Sequence, residues 1–216
     1  MRPQLILLGA PGSGKGTQAQ KITSEYGFVQ LCTGDMLRAA CNSGSKIGLQ
    51  LKKVMDDGKL VSDEIVIGIV QERIFQSDCD AGYMLDGFPR NIIQDEKLDA
   101  MLAGQNQQID RVLLLSVNDE VVGRRIAGRR FHVSSGRSYH GVFNPPEIEG
   151  KDDLTGELLI QRADDNEDVV KSRLKIYHEQ TEPLVKYFEE KGILVTIDGL
   201  GSPDEIFSNI KLVLDQ

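Results

Sequence analysis

Gly9-Ala10-Pro11-Gly12-Ser13-Gly14-Lys15-Gly16-Thr17 carries the densest chemical signal in the chain. It has the G-x-x-x-x-G-K spacing, follows an apolar run and opens a helical pattern, the context in which such a loop cradles phosphate. Glycines let the backbone curl so that several N–H groups converge on one anion, and the helix that follows adds the positive end of its dipole. Lys15 then places an ammonium between a β- and a γ-phosphate. The residue after the lysine is Gly16, where many such loops carry the Ser or Thr that ligates Mg²⁺. The hydroxyl comes one place later, on Thr17. Mg²⁺ is therefore expected to rest mainly on substrate phosphates and water, as its reluctance to dehydrate favours.

Arginines recur at intervals along the rest of the chain. Thr33-Gly34-Asp35-Met36-Leu37-Arg38, Asp86-Gly87-Phe88-Pro89-Arg90, Gly128-Arg129-Arg130 and Arg162-Ala163-Asp164-Asp165 each hold one or two, and Arg173 follows on a helical pattern. Phosphoryl transfer spreads charge over three equatorial oxygens, so its catalysis is mostly positioning and electrostatic stabilisation. Arginine suits that task because it stays charged and its planar fork grips phosphate oxygens in pairs. An acceptor that is already a phosphate anion needs no strong general base. His132, His140 and His178 show no catalytic spacing, which counts against a hydrolase. Arg124 and Arg130 suit the end of a helix, where cations complement the dipole, and are expected to be solvated.

These groups need a scaffold that gathers them. Short apolar runs at 5–8, 83–85, 111–115 and 193–197 alternate with helical patterns. Continuous rather than alternating apolar runs suit parallel strands covered on both faces, and the alternation with helices predicts an α/β fold. Ser62, Asn118 and the Ser202-Pro203-Asp204-Glu205 box mark helix starts. Two segments break the alternation. Residues 33–61 are helical and polar with no strand candidate, and residues 130–165 are rich in Gly, Pro and charge with short β-like pieces, too long for a simple loop. Both are expected to be insertions on one core. The 216 residues fit one such domain, with 40% hydrophobic and 27% charged residues, which argues against disorder. A net charge of −8 disfavours a generic nucleic-acid binder. Three cysteines (Cys32, Cys41, Cys79) with no CxxC pair give neither a disulfide framework nor a thiolate zinc site. The apolar runs are too short to span a bilayer or to serve as a signal segment, so a reducing cytoplasm is the expected compartment.

Taken in this order and over essentially the whole chain, the motifs resemble those of adenylate kinases, specifically the long-lid form common in bacteria. The resemblance implies a P-loop nucleoside-triphosphate-binding fold, a parallel sheet flanked by helices. A single kinase core over 1–216 would carry two mobile insertions, an NMP-binding segment at 32–61 and a lid at 128–165. It implies reversible Mg²⁺-dependent transfer of the terminal phosphoryl group of ATP to AMP, giving two ADP. By the same resemblance Gly12, Ser13, Gly14, Lys15, Gly16 and Thr17 hold the ATP phosphates, Arg125, Arg129, Ser138 and Tyr139 serve the ATP side, and a backbone carbonyl near Gly201 meets adenine. Thr33, Arg38, Lys59, Leu60, Val61, Gly87, Phe88, Pro89, Arg90 and Gln94 would form the AMP site, with Arg38 and Arg90 clamping its phosphate. Arg162 and Arg173 would reach the transferring phosphates, and Lys15, Arg90, Arg129, Arg162 and Arg173 would be catalytic. Asp86 would orient Mg²⁺ through water without ligating it directly.

Some members of that family bind structural zinc through lid cysteines. The corresponding positions here are His132, Ser135, Asp152 and Thr155, and Ser and Thr are poor zinc ligands. A hydrogen-bonded cluster without zinc is expected instead, with the Asp152-Asp153 and Asp164-Asp165 pairs serving as partners of lid arginines. Cys32 is expected to be a small buried residue beside the AMP pocket. The alternative activity is another nucleoside monophosphate kinase of the UMP or CMP type, against which Thr33, Gln94 and the long lid stand. A nucleotide-dependent switch is disfavoured by Gly16 and by the paired acceptor arginines. The expected partners are ATP, AMP and ADP, with no nucleic acid and no membrane, and the protein is expected to be a monomer.

Overall fold

The computed structural model describes residues 3–41, 51–55, 61–162 and 165–216. Five parallel strands build its main sheet: β1 (Gln4–Leu8), β2 (Val29–Cys32), β3 (Tyr83–Asp86), β4 (Arg111–Ser116) and β7 (Leu194–Asp198), in the spatial order β2-β3-β1-β4-β7. The central β1 is buried along its whole length, and its alternate side chains serve two cores. Ile6 and Leu8 join Leu31, Leu85, Val112 and Leu114 on one face, whereas Leu5 and Leu7 join Met84, Leu113 and Leu115 on the other. That is why the run reads as continuously apolar.

Helices cover both faces. α1 (Lys15–Tyr26) and α8 (Pro203–Leu214) bring Ala19, Ile22, Ile206 and Ile210 to one side. α2 (Thr33–Cys41), α3 (Asp63–Ile74), α4 (Ile92–Ala103) and α7 (Pro183–Glu190) cover the other with Leu37, Val70, Leu98 and Phe188. α5 (Asp119–Ala127) and α6 (Glu167–Ile176) pack Val122, Ile126 and Val170 against Ala10 of the glycine loop. The expected starts hold at Asn118, whose side chain accepts from the Val121 N–H, and at Ser202, which forms a full capping box with Glu205.

The strand at 29–32 was not expected. It lies at the sheet edge and only Leu31 is fully buried, so it lacks the continuous apolar run that marks its neighbours. In the 128–165 segment, β5 (Arg129–Phe131) and β6 (Ser138–His140) pair antiparallel, extended by bridges from Phe131 to Ile160 and from Lys151 to Leu158. Residues 33–41 and 51–55 of the other insertion are helical. In the main sheet, β1 is flanked by β3 on one side and β4 on the other, so the connections change direction at its carboxyl end. Open α/β sheets bind ligands at such a point, and the glycine loop begins there.

Candidate active site

The loop between β1 and α1 takes its shape from its glycines. Gly14 caps α1 in the left-handed region at φ 104, a conformation that costs a residue with a Cβ more than glycine. A Cβ on Gly12 would stand 2.6 Å from Cγ1 of Ile126. No side chain caps α1, and its first turn carries no acidic residue, which leaves the positive end of its dipole to an anion. Lys15 reaches back across the loop, its Nζ donating to the carbonyls of Gly9 at 2.7 Å and Ala10 at 2.8 Å. Desolvation lowers its pKa to about 8. Asp86 opposes that shift, and the positive charges of Arg173 and Arg90 add to it. Lys15, Arg90 and Arg173 thus lie near enough for their charges to act on one another, and they line one cleft with Asp86 at the end of β3.

Asp86 closes β3 and is nearly inaccessible to water. Burial pushes its carboxyl above the usual range against the pull of Lys15, and Gln30 of β2 donates to one of its oxygens at 3.0 Å. The next turn is pinned from two sides: the Thr33 hydroxyl donates to the Gly87 carbonyl at 2.9 Å, and Arg90 Nε donates to the same carbonyl at 2.9 Å. The Thr181 hydroxyl holds the Arg90 carbonyl at 2.9 Å. Gln94 accepts from the Arg90 N–H through Oε1 at 2.7 Å and donates through Nε2 to Asp63 at 2.7 Å.

Around this point the other arginines are held by carboxylates and carbonyls. Arg38 pairs with Asp35 one helical turn away, and Nη2 of Arg162 lies 3.6 Å from the same carboxylate. Burial would raise the Asp35 carboxyl, but Arg38, then Cys32 and Arg162, hold it below its ordinary value. The Arg162 guanidinium also lies over the Phe131 ring at 3.7 Å. Arg129 makes a two-pronged pair with the buried Asp165. Arg125 ties the glycine loop to the exit of β7 by donating to the carbonyls of Ser13 and Gly199 at 3.2 and 2.7 Å, and lies 5.5 Å from the Phe143 ring centre.

One cleft of about 1340 Å³ runs past most of these groups, larger than the roughly 300–1,000 Å³ of an ordinary small-molecule pocket. It is lined by Gly12, Gly14, Lys15, Gly16 and Thr17, and also by Arg125, Arg129, Ser138, Tyr139 and Gly201. Thr33, Arg38, Val61, Gly87, Pro89, Arg90 and Gln94 line it too, together with Asp86, Arg162 and Arg173. Ser13 and Phe88 are buried behind this lining; Ser13 contributes its backbone to the loop, and Phe88 belongs to the core. Lys59 and Leu60 lie outside the described residues. Tyr139 lines the cleft, yet its hydroxyl is used inside the β5–β6 arm, donating to Asp152 at 2.9 Å. Cys32 is half-buried, and desolvation pushes its thiol up to about 12. Sequence reasoning missed Asp35 as the carboxylate between Arg38 and Arg162. Its i,i+3 spacing to Arg38 was visible, but Arg162 is too distant along the chain for any spacing rule.

The four candidate zinc positions form a connected cluster. His132 Nδ1 stands 2.6 Å from the Ser135 hydroxyl, the Thr155 hydroxyl donates to Asp152 at 2.9 Å, and Asp152 also takes Nε of Arg137 at 2.7 Å. Glu157, not foreseen, lies 2.6 Å from His132 Nε2. Chiefly through Arg137, the Asp152 carboxyl is held far below its usual range. Among the described residues, no group of three or more His, Cys, Asp or Glu side chains is arranged to hold a metal ion.

A phosphate cradle, the 87–90 turn and eight arginines on a single cleft suit phosphoryl transfer, and comparison with known proteins gives the family. A sequence model of adenylate kinases matches residues 7–193. An adenylate kinase of Syntrophobacter fumaroxidans is 53% identical over 211 residues, covering 97% of this chain and 99% of that protein. The chain belongs to the adenylate kinase family. It is a nucleoside monophosphate kinase that exchanges a phosphoryl group between ATP and AMP, and its P-loop α/β core is that of the family. Among the described residues, no helix is long and apolar enough to cross a membrane.

Proposed function

We propose that the cleft is divided at Lys15 and Asp86 into a donor half and an acceptor half. The donor half comprises the glycine loop with Arg125, Arg129, Ser138, Tyr139 and the Gly201 backbone, and takes ATP. The acceptor half comprises Thr33, Arg38, Lys59, Leu60, Val61, the 87–90 turn and Gln94, and takes AMP. Arg162 and Arg173 serve the phosphoryl group between them. The observation that carries this division is that Lys15, Asp86, Arg90 and Arg173 line one cleft, with the charges of Asp86, Arg173 and Arg90 all acting on Lys15, since charge developing in transit needs preorganised donors on both sides. Mg²⁺ would rest on substrate phosphates and water, with Asp86 orienting it through water. When bound, Mg²⁺ neutralises phosphate charge; orientation and charge stabilisation fall to the lysine and arginines. A panel of nucleoside monophosphates with ATP and Mg²⁺ tests the assignment: AMP is expected to give the highest kcat/KM, and a preference for UMP or CMP would overturn it.

The residues 32–61 and 128–165 act as two closing insertions on one kinase core. Support comes from the Arg162–Asp35 approach, which brings the end of one insertion to the other, and from Gln20 of α1, which donates to the Gly136 carbonyl at 3.1 Å. Closure keeps water from the phosphoryl group, and such motions run on microseconds to milliseconds. With one fluorophore in 141–150 and one on the core, a bisubstrate analogue is expected to shorten the mean distance. An unchanged distance in a protein that binds the analogue would show that 128–165 does not move.

The same arm is proposed to hold without zinc. His132, Ser135, Asp152 and Thr155 already use their polar atoms on one another, so a metal would have to displace hydrogen bonds in exchange for two weak hydroxyl ligands. Elemental analysis should find well under one zinc per chain, and EDTA should leave the melting temperature unchanged; a stoichiometric zinc surviving dialysis would overturn this. The enzyme is further proposed to work as a cytoplasmic monomer with no nucleic-acid or membrane partner, on its acidic charge and lack of disulfide pairing.

A further inference from the structure

Gln94 meets the cleft with an amide whose two ends are both committed. An amide end is ambiguous until its neighbours decide it, and here they do. The backbone N–H of Arg90 can only donate, so the atom 2.7 Å from it is the oxygen Oε1. The carboxylate of Asp63 can only accept while ionised, so the atom 2.7 Å from it is the nitrogen Nε2. The same carboxylate fixes Asn91, whose Nδ2 lies 3.1 and 3.3 Å from its two oxygens. Asn91 Oδ1 is thereby turned to accept from the Gln94 N–H at 2.8 Å, capping α4. Asp63 sits in the first turn of α3, where a carboxylate suits the helix dipole. It joins α3 to α4 and does not itself line the cleft.

An amide nitrogen carries two hydrogens and an amide oxygen two lone pairs. With one of each used, Gln94 keeps one donor and one acceptor whose positions cannot exchange, because a flip would set Oε1 against a carboxylate and Nε2 against an N–H. Adenine offers an exocyclic amino donor beside a ring-nitrogen acceptor. Guanine offers a carbonyl acceptor beside a ring N–H, the opposite polarity. An amide free to flip could serve both, whereas one held in a single orientation favours one of them.

We propose that Asp63 is a specificity-determining positioning residue for the acceptor base: it locks the Gln94 amide in the orientation that accepts a 6-aminopurine monophosphate and rejects the 6-oxopurine. This rests on the assignment of Gln94 to the AMP half of the cleft. Asp63 touches neither nucleotide; it acts through Gln94.

The test is kcat/KM for AMP and for GMP, each with saturating ATP and Mg²⁺, in the full chain and in Asp63→Ala, Asp63→Asn and Gln94→Ala. Losing a buried partner of a polar group typically costs enough to shift a ratio by about tenfold. Asp63→Ala is expected to narrow the AMP-to-GMP ratio by about that much through KM for the acceptor, with KM for ATP unchanged. Asp63→Asn keeps an acceptor oxygen and is expected to recover most of the ratio. A purely structural role would lower both acceptors alike and leave the ratio where it was. A wild-type ratio in Asp63→Ala alongside a collapsed ratio in Gln94→Ala would overturn the role of Asp63. A wild-type ratio in Gln94→Ala would instead remove Gln94 from base reading. Asp63→Asn as poor as Asp63→Ala would show that the charge at the start of α3, not the accepted hydrogen bond, is what matters, and would overturn the proposal. If Asp63→Ala does not fold, Asp63→Ser, too short to reach Gln94, takes its place with the same expected ratio.

Discussion

Lys15→Met is expected to lower kcat by at least about a hundredfold, roughly 2.7 kcal/mol of transition-state stabilisation. Methionine keeps much of the side-chain length, so the change removes the charge more than the volume. The loop should survive it. The Ala10 carbonyl keeps the Ser13 N–H at 3.1 Å as a donor, and the glycine conformations do not depend on the lysine. What is lost is the ammonium proposed to stand beside the transferring phosphoryl group. The wild-type protein gives a second reading of the same charge. Burial holds Lys15 at a pKa of about 8, so above that pH the side chain is increasingly neutral. A phosphate brought beside it favours the charged form and raises the pKa. ATP binding at about pH 9 should therefore take up close to one proton at this site, seen as a buffer-dependent heat in calorimetry, and Lys15→Met should abolish that uptake. Near-normal turnover in the variant would remove the loop from the phosphate site.

Much of this was legible before any coordinates, and the divide between what was and was not is physical. β1, β3 and β4 announce themselves because parallel strands between two helical layers bury both faces. β2 did not, because an edge strand satisfies the same ladder with less burial, and its Gln30 points to Asp86 rather than to a core. The glycine loop is local, so nine consecutive residues suffice to read it. The arginine sites were found as motifs, and Asp165, expected as a partner of lid arginines, takes Arg129, but the reach of Arg162 to Asp35 and Phe131 across the fold was not readable from spacing. Gln94 was assigned to the acceptor side by resemblance alone. That its amide is held by Asp63 from a different helix follows only from the packing of α3 on α4.

Arg90→Ala is expected to separate the two halves of the cleft. Removing one member of a charge-assisted phosphate contact typically costs about 2–5 kcal/mol, so kcat/KM for AMP should fall by about a hundredfold or more. ATP binding should stay within about threefold of wild type, for two reasons. The 87–90 turn keeps an anchor without the guanidinium, because the Thr33 hydroxyl still donates to the Gly87 carbonyl at 2.9 Å and Thr181 to the backbone carbonyl of residue 90 at 2.9 Å. The charge of Arg90 also works against the protonated form of Lys15, so its loss raises the lysine pKa and leaves the ammonium better populated for the ATP phosphates. Steady-state kinetics with AMP as the varied substrate reads the first quantity, and isothermal titration with ATP alone reads the second. Losses of equal size for AMP and ATP would mean that Arg90 serves the shared centre or the fold, and the boundary drawn at Asp86 between donor and acceptor would have to move toward the acceptor turn.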